Sequence, residues 1–510
     1  MSRSGVAQSG EDAPGRGEAR LLASAAILQQ AAQVSGLLAL LTVVTLLARR
    51  LSVIELGAYG LVASLAGYLL VLRNSVASSA VRAMAGALER DRRTTVFGAA
   101  ATLYAGVGIA TGLLIAGAAV GISAALLDGE LARDARAGGL GLGLVTAAGI
   151  AASVYLDALR AERRLVRAAG MEIAGVVLWL AGMLALILGG AGLALVVAAS
   201  GAMPLLSGML ALGSAHRLGL PLRPATPAAA RAGAGDIGPT AGWLLVVELS
   251  NVVTYALDRV ILGAYRSPRS VGLYEGPLRA HNLLLALGGA LAVPTVPTAS
   301  RYVAAGDDRR LRQLVLRGTR YTLALFVPVC VTLMALAEPL LRGWLGDRYG
   351  DGATALTILV SYWLLYGGLA VTPGFLVGAG RAREVALVMS GAAAVNLALS
   401  LILTPELGLE GPALGTTIAF ALAFPLLLRT ALAVSGAGLG ELARVAWLPA
   451  YSLGAVLGAA LVALRLTAEP SGIAAVTAIG VAGVAGYWAV YYALWLDAGE
   501  RALVRGLLRR

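Results

Sequence analysis

The chain has 510 residues, 58% of them hydrophobic and 13% charged, with a mean hydropathy of +0.81. A soluble domain would carry roughly 25% charged residues, so an aqueous globular fold is excluded. The formal net charge of +12 rests on 40 arginines and no lysine. These cations punctuate apolar runs instead of forming a polar, aromatic-interleaved surface, so the expected partner is the lipid bilayer and not nucleic acid. The single cysteine, Cys330, lies in an apolar run and excludes a disulfide framework.

Residues 1–20 mix Gly, Ser, Arg and acids without an apolar core, which predicts a disordered cytoplasmic tail and no secretory signal. A membrane-crossing helix needs about 20 mostly apolar residues. In chain order such spans are expected near 22–47, 57–80, 95–126, 138–158, 169–189, 192–213, 240–264, 274–299, 319–340, 353–377, 384–404, 411–432, 445–465 and 472–495. The fold class is therefore an all-α polytopic membrane protein of about fourteen spans. With the N-terminus inside, one face holds 29 arginines and the other 11, the positive-inside pattern. Both termini are expected to be cytoplasmic, in the inner membrane.

An internal repeat organises these spans. Ser52, Gly57 and Tyr59 after the first span recur as Ser267, Gly272 and Tyr274 after the seventh, an offset of 215. The same offset maps 184–188 onto 399–403, and Gly192 precedes Gly408 by 216. Six spans separate equivalent points, so the repeats are parallel. The expected organisation is an N-lobe at 21–213 and a cytoplasmic linker at 214–238. A C-lobe at 239–432 follows, and then two extra spans with a basic tail at 433–510. Two such lobes face each other across a central cleft. Glycines 138, 139, 141 and 143 are expected to let helices approach closely.

An ionisable side chain inside a span is costly unless paired or hydrated, so each is a candidate for function. At about 100° per residue, Glu248, Asn251, Tyr255, Asp258 and Arg259 share one face of span seven. Packing by a salt bridge or an interhelical hydrogen bond is the competing reading of that stripe. The repeat offset takes Glu248 onto Gln33, beside Gln29 and Gln30, and such amides also serve as glue between helices. Arg73 and Asn74 sit in the cytoplasmic third of span two, where Arg73 either faces the cleft or snorkels to the interface. Arg82 and Arg301 read as topology markers. His281, beside Arg279 early in span eight, reads as a hydrogen-bonded packing residue. No residues have metal-ligand spacing, so neither metal nor cofactor is expected. A Walker lysine is impossible in a chain without lysine, which argues against ATP-driven transport.

Several ordered segments carry a resemblance: Arg50-Leu-Ser52 with Gly57-Ala-Tyr59, Asp258-Arg259 to Gly263 with Val271-Gly-Leu-Tyr274, Pro294 and Pro297, Gly380-Arg381, and Gly408 to Ala413. Over about 21–432 they resemble the bacterial oligosaccharide flippase family, in the superfamily that also holds multidrug antiporters and the lipid II flippase. The resemblance implies a V-shaped pair of six-helix lobes. It also implies a substrate, a polyprenyl-(pyro)phosphate-linked oligosaccharide moved to the outer leaflet by alternating access without covalent catalysis. Cationic cavity residues would hold the anionic head, a role carried over to Arg73 and Arg259. A coupling proton or sodium ion and polysaccharide assembly enzymes are the further partners it admits. A cation-coupled multidrug antiporter of the same fold is the first rival. A membrane-embedded glycan polymerase or ligase is the second, disfavoured by the short outer loops.

Overall fold

A computed structural model describes residues 16–87, 89–217, 257–292 and 294–508. The N-terminal half contains α1 (Arg16–Arg50), α2 (Val53–Gly86), α3 (Arg90–Leu126), α4 (Gly129–Ala161), α5 (Leu165–Leu188), α6 (Leu193–Ser200) and α7 (Met203–Arg217). The second half contains α8 (257–265), α9 (Pro268–Ala292), α10 (Thr295–Ala304), α11 (Asp308–Ala335), α12 (Ala337–Leu345), α13 (Ala353–Tyr366), α14 (Thr372–Gly378), α15 (Ala382–Leu407) and α16 (Glu410–Ser435). Three more complete it: α17 (Leu439–Ala468), α18 (Ile473–Leu494) and α19 (Ala498–Leu508). Among the described residues there is no strand.

Eleven helical segments are long and apolar enough to cross a membrane, and α6 with α7, bent by 50°, makes a twelfth. Two of the fourteen expected spans remain. Span eight is α9, a 25-residue helix whose Glu275 and Arg279 lower its apolarity. Only the end of span seven, α8, is among the described residues; the expected linker lies mostly outside them. The first helix begins at Arg16, inside the stretch read as a tail. Large apolar side chains such as Leu113, Leu144, Ile402, Val456 and Val481 are more than 60% exposed, as lipid-facing positions require.

The local signals are plain. Ser52 caps α2 by accepting from the Glu55 backbone N–H, while the Glu55 carboxylate accepts from the Ser52 N–H at 2.7 Å, a reciprocal capping box. The chain therefore turns sharply between α1 and α2. The glycines of α4 do what their pattern predicts. A Cβ on Gly143 would stand 2.5 Å from the Gly112 carbonyl oxygen of α3, and one on Gly112 would stand 2.6 Å from the Gly143 oxygen.

The repeat is visible where the halves meet. A Cβ on Gly57 would lie 1.8 Å from the Pro268 carbonyl oxygen, and one on Gly272 would lie 2.0 Å from the Val53 oxygen. Val53 and Pro268 are 215 residues apart, as are Gly57 and Gly272. The first turns of α2 and α9 therefore cross by the same glycine-to-carbonyl contact seen from each side, as pseudo-two-fold symmetry demands. Nearby, Trp344 donates through Nε1 to Thr45 Oγ1 at 2.6 Å. Seven hydrogen bonds between the halves join 45–51 to 343–349. The halves are thus fastened at this end of the bundle.

Candidate functional site

Each half contains its own cluster of polar side chains. In the N-terminal half, Asp157 of α4 is 1% exposed and carries three donors. Arg73 of α2 reaches Oδ2 at 2.5 Å, Tyr104 of α3 donates to the same oxygen at 2.6 Å, and Arg160 donates to Oδ1 at 2.6 Å. Arg73 also donates through Nε to Ser153 Oγ at 3.1 Å and sits over the Tyr104 ring. Arg160 continues to Glu172 of α5, whose second oxygen accepts from Gln29 of α1 at 3.1 Å. Five helices are joined by one chain of charge-assisted bonds. Its two guanidinium and two carboxylate charges balance, which a low-dielectric setting requires. The network is not sealed: Arg73, Arg160 and Glu172 keep 16%, 20% and 23% of their side-chain surface exposed.

The cluster in the second half is tighter. Glu275 of α9 is 1% exposed and receives Arg259 of α8 at 2.5 and 3.2 Å, and Arg279 one turn along α9 at 3.0 Å. Its side chain lies where Gly60 of α2 leaves room, since a Cβ on Gly60 would come within 2.4 Å of Oε1. Gly60 and Glu275 occupy equivalent repeat positions. The ion cluster therefore fills, at the boundary between the halves, a space that the N-terminal copy gives up.

Next to it, Asp258 is 3% exposed and faces oxygens. Tyr274 Oη donates to it at 3.5 Å, and the Ser400 and Thr416 hydroxyls lie close by. Both hydroxyls also reach Asn396 Oδ1 at 3.2 Å. Helices α8, α9, α15 and α16 thus converge on an oxygen-lined carboxylate. Among the described residues, no group of three His, Cys, Asp or Glu is arranged to hold a metal ion.

The site residues read from the sequence are distributed as follows. Arg73 is drawn inward onto Asp157 instead of snorkelling. Its neighbour Asn74 is exposed and accepts from it at 3.3 Å. Gln29 joins the network, whereas Gln33 is exposed on α1. Asp258 and Arg259, expected along an open cleft, are instead packed inside the protein, because Glu275 and the α15–α16 hydroxyls supply partners that were not recognised in the sequence. Glu248, Asn251 and Tyr255 lie outside the described residues. His281 is the packing residue expected, with Nε2 2.6 Å from Tyr362 Oη. Asp157, Glu172 and Glu275 were missed. The rule that nominates Glu248, an acid inside an apolar span, picks out all three.

No curated protein matches the chain. Among solved structures, it is similar to the lipid II flippase MurJ in an inward closed conformation, with a TM-score of 0.69 and 16% identity over 91% of this chain and 99% of that one. It is also similar to a multidrug resistance MATE family transporter of the MOP superfamily. The inward-facing conformation gives a TM-score of 0.66 at 15% identity, over 81% of this chain and 99% of that one. The outward-facing conformation gives 0.58 at 17% identity, over 82% and 96%. These likenesses establish the fold. The family model described as polysaccharide biosynthesis protein matches residues 46–353, from the end of α1 through the ion pairs of both halves to the start of α13. Matched over more than half its length, this multi-pass membrane protein belongs to the polysaccharide biosynthesis protein family.

Proposed function

We propose that the chain is a flippase that moves a lipid-linked oligosaccharide across the cytoplasmic membrane for polysaccharide biosynthesis, by alternating access and without making or breaking covalent bonds. The observation that carries this reading is the pair of lobes fastened to each other at the ends of α1 and α12, with a balanced but partly exposed ionic network in the N-lobe. A lipid-linked glycan has a hydrated anionic head and a tail that stays in lipid. Its passage needs a polar path beside the bilayer, which Arg73, Asn74, Gln29 and Gln33 begin to supply. Arg73 offers a planar, permanently charged donor set for phosphate oxygens. The head would engage it by competing with Asp157. Glu248, Asn251 and Tyr255, which share a face of span seven in the sequence, are the further residues proposed for this path. The arginine asymmetry supports cytoplasmic termini, so the fastened end faces out and the cleft opens inward.

Asp258 is the best-placed group to couple transport to an ion gradient. Its carboxylate, which accepts from Tyr274 Oη and lies near the Ser400 and Thr416 hydroxyls, suits a proton or a sodium ion, both of which oxygen donors accept. A multidrug antiporter is the reading favoured by the MATE likeness, and the two differ in cargo. Depletion of the protein in its native strain tests the choice. The flippase reading expects finished lipid-linked units to accumulate at the inner leaflet. Normal glycan with increased drug sensitivity would favour the antiporter, and missing units would indicate an enzyme.

A further inference from the structure

The fastened end is built from arginines that each reach into the opposite lobe. Arg49, in the last turn of α1, donates through Nε to the Trp344 carbonyl at 3.3 Å, and through Nη2 to the carbonyls of Gly343 and Trp344 at 3.1 and 3.2 Å. Those carbonyls belong to the last turn of α12, where a helix leaves its C=O groups without internal partners. Arg348, just after α12, does the converse. Its Nη2 lies 2.8 Å from the carbonyls of both Ala48 and Leu51, at the C-terminal end of α1, and Tyr349 Oη adds a bond to Ala48 at 3.4 Å. Each lobe thus caps the negative end of a helix in the other with a cation. The two arginines are 299 residues apart, not 215, so this exchange is not inherited from the duplication.

We infer that Arg49 and Arg348 form a reciprocal latch that positions the closed gate of the transport cycle. This rests on the alternating-access reading above. Two features make the contact a latch and not a permanent weld. Both guanidinium groups line a water-accessible basin of about 1280 Å³ between α1, α12 and the turn from α17 to α18. Asp347 and Glu469 line the same basin, along with Glu338, which Arg342 and Arg465 already hold, so a released arginine meets water and carboxylates instead of being stranded in lipid. The partner atoms, moreover, are backbone carbonyls at helix ends, which water can satisfy equally well once the lobes part. Opening therefore exchanges one hydrogen-bonded state for another. The basin also joins α17 and α18, which lie outside the repeat, to the gate: a Cβ on Gly343 would meet the Ile473 backbone nitrogen at 2.8 Å.

The test uses the full chain in lipid nanodiscs, with spin labels at Ile54→Cys and Arg269→Cys, exposed positions on α2 and α9 flanking the glycine crossing, and with the native thiol removed by Cys330→Ala. The latched protein gives one short distance. Arg49→Ala with Arg348→Ala raises the longer-distance population about tenfold, the equivalent of one net charge-assisted hydrogen bond. Arg49→Lys with Arg348→Lys keeps the charge but loses the forked donor geometry, so it falls between the two. Thermal unfolding shows that each variant is folded, and if the alanine pair is not, the lysine pair is read alone. Unchanged distances in folded variants overturn the latch. A gate widened in the variants, in a protein whose unaltered form moves no glycan, upholds the contact between the lobes and contradicts the transport reading, so the two ideas fail separately.

Discussion

The two lobes share a scaffold and differ in where they keep their charges. In the N-lobe, Asp157, Arg73, Arg160 and Glu172 form a balanced chain that keeps part of its surface open. In the C-lobe, Glu275 is enclosed by Arg259 and Arg279 against the other half of the molecule. Duplication preserved the backbone crossing at Gly57 and Gly272, whose requirement is steric and identical on both sides. It did not preserve the ionic chemistry, because Gly60 in one copy makes room for Glu275 in the other. The symmetric part serves closure, and the asymmetric parts are free to take different tasks.

The strongest way to break this comparison is at the crossing itself. Leucine at Gly57 or Gly272 cannot be accommodated, since even a Cβ would stand at or within 2.0 Å of a carbonyl oxygen. Either variant is expected to hold the gate apart, reduce glycan transport to background and lengthen the Ile54 to Arg269 distance. Pseudo-symmetry further requires Gly57→Leu and Gly272→Leu to be equally severe. A tolerated substitution on one side would show that the symmetry is not functional.

A second contrast lies in the buried acids. Glu275→Ala leaves Arg259, at 2% side-chain exposure, without its carboxylate. Breaking a buried ion pair by removing one partner costs about 3–5 kcal/mol, so a marked fall in melting temperature in detergent is expected. Asp157→Asn keeps a hydrogen-bonding group at its site and leaves Arg73 partly hydrated, so about 1–3 kcal/mol is the expected loss. Equal losses would mean that the N-lobe network is as closed as its counterpart. At the small end, Arg133→Ala removes an exposed pair with Glu130, and such pairs contribute about 0–1 kcal/mol, so melting and transport should be unchanged.

Much of this was legible in the sequence for physical reasons. Lipid imposes apolar runs, so the spans could be read from composition, and a duplication leaves a constant offset that marked Gly57 and Gly272 as equivalent positions, though not that their helices cross there. The glycines of α4 likewise announced close helix packing. What stayed hidden was pairing. Asp258 and Arg259 share a helical face, which suggested an open cleft, but that face is covered by α9, α15 and α16, elements 16 to 158 residues further along. A helical wheel reports which residues share a face, not what lies opposite. Arg73 shows the same limit, because its choice between cleft and interface was decided by Asp157, 84 residues away. The reciprocal caps of Arg49 and Arg348 carry no sequence signal at all, since their partners are backbone carbonyls.

The central claim is transport of a lipid-linked glycan, and reconstitution tests it most directly. Purified protein in proteoliposomes, loaded with a polyprenyl-pyrophosphate-linked oligosaccharide bearing a fluorescent sugar, is mixed with a membrane-impermeant reagent that quenches only the outward-facing label. The account predicts quenching well beyond that of protein-free vesicles, slowed by Arg73→Ala and abolished by Gly57→Leu. Quenching no faster than in protein-free vesicles, from folded protein supplied with both a proton and a sodium gradient, would contradict it.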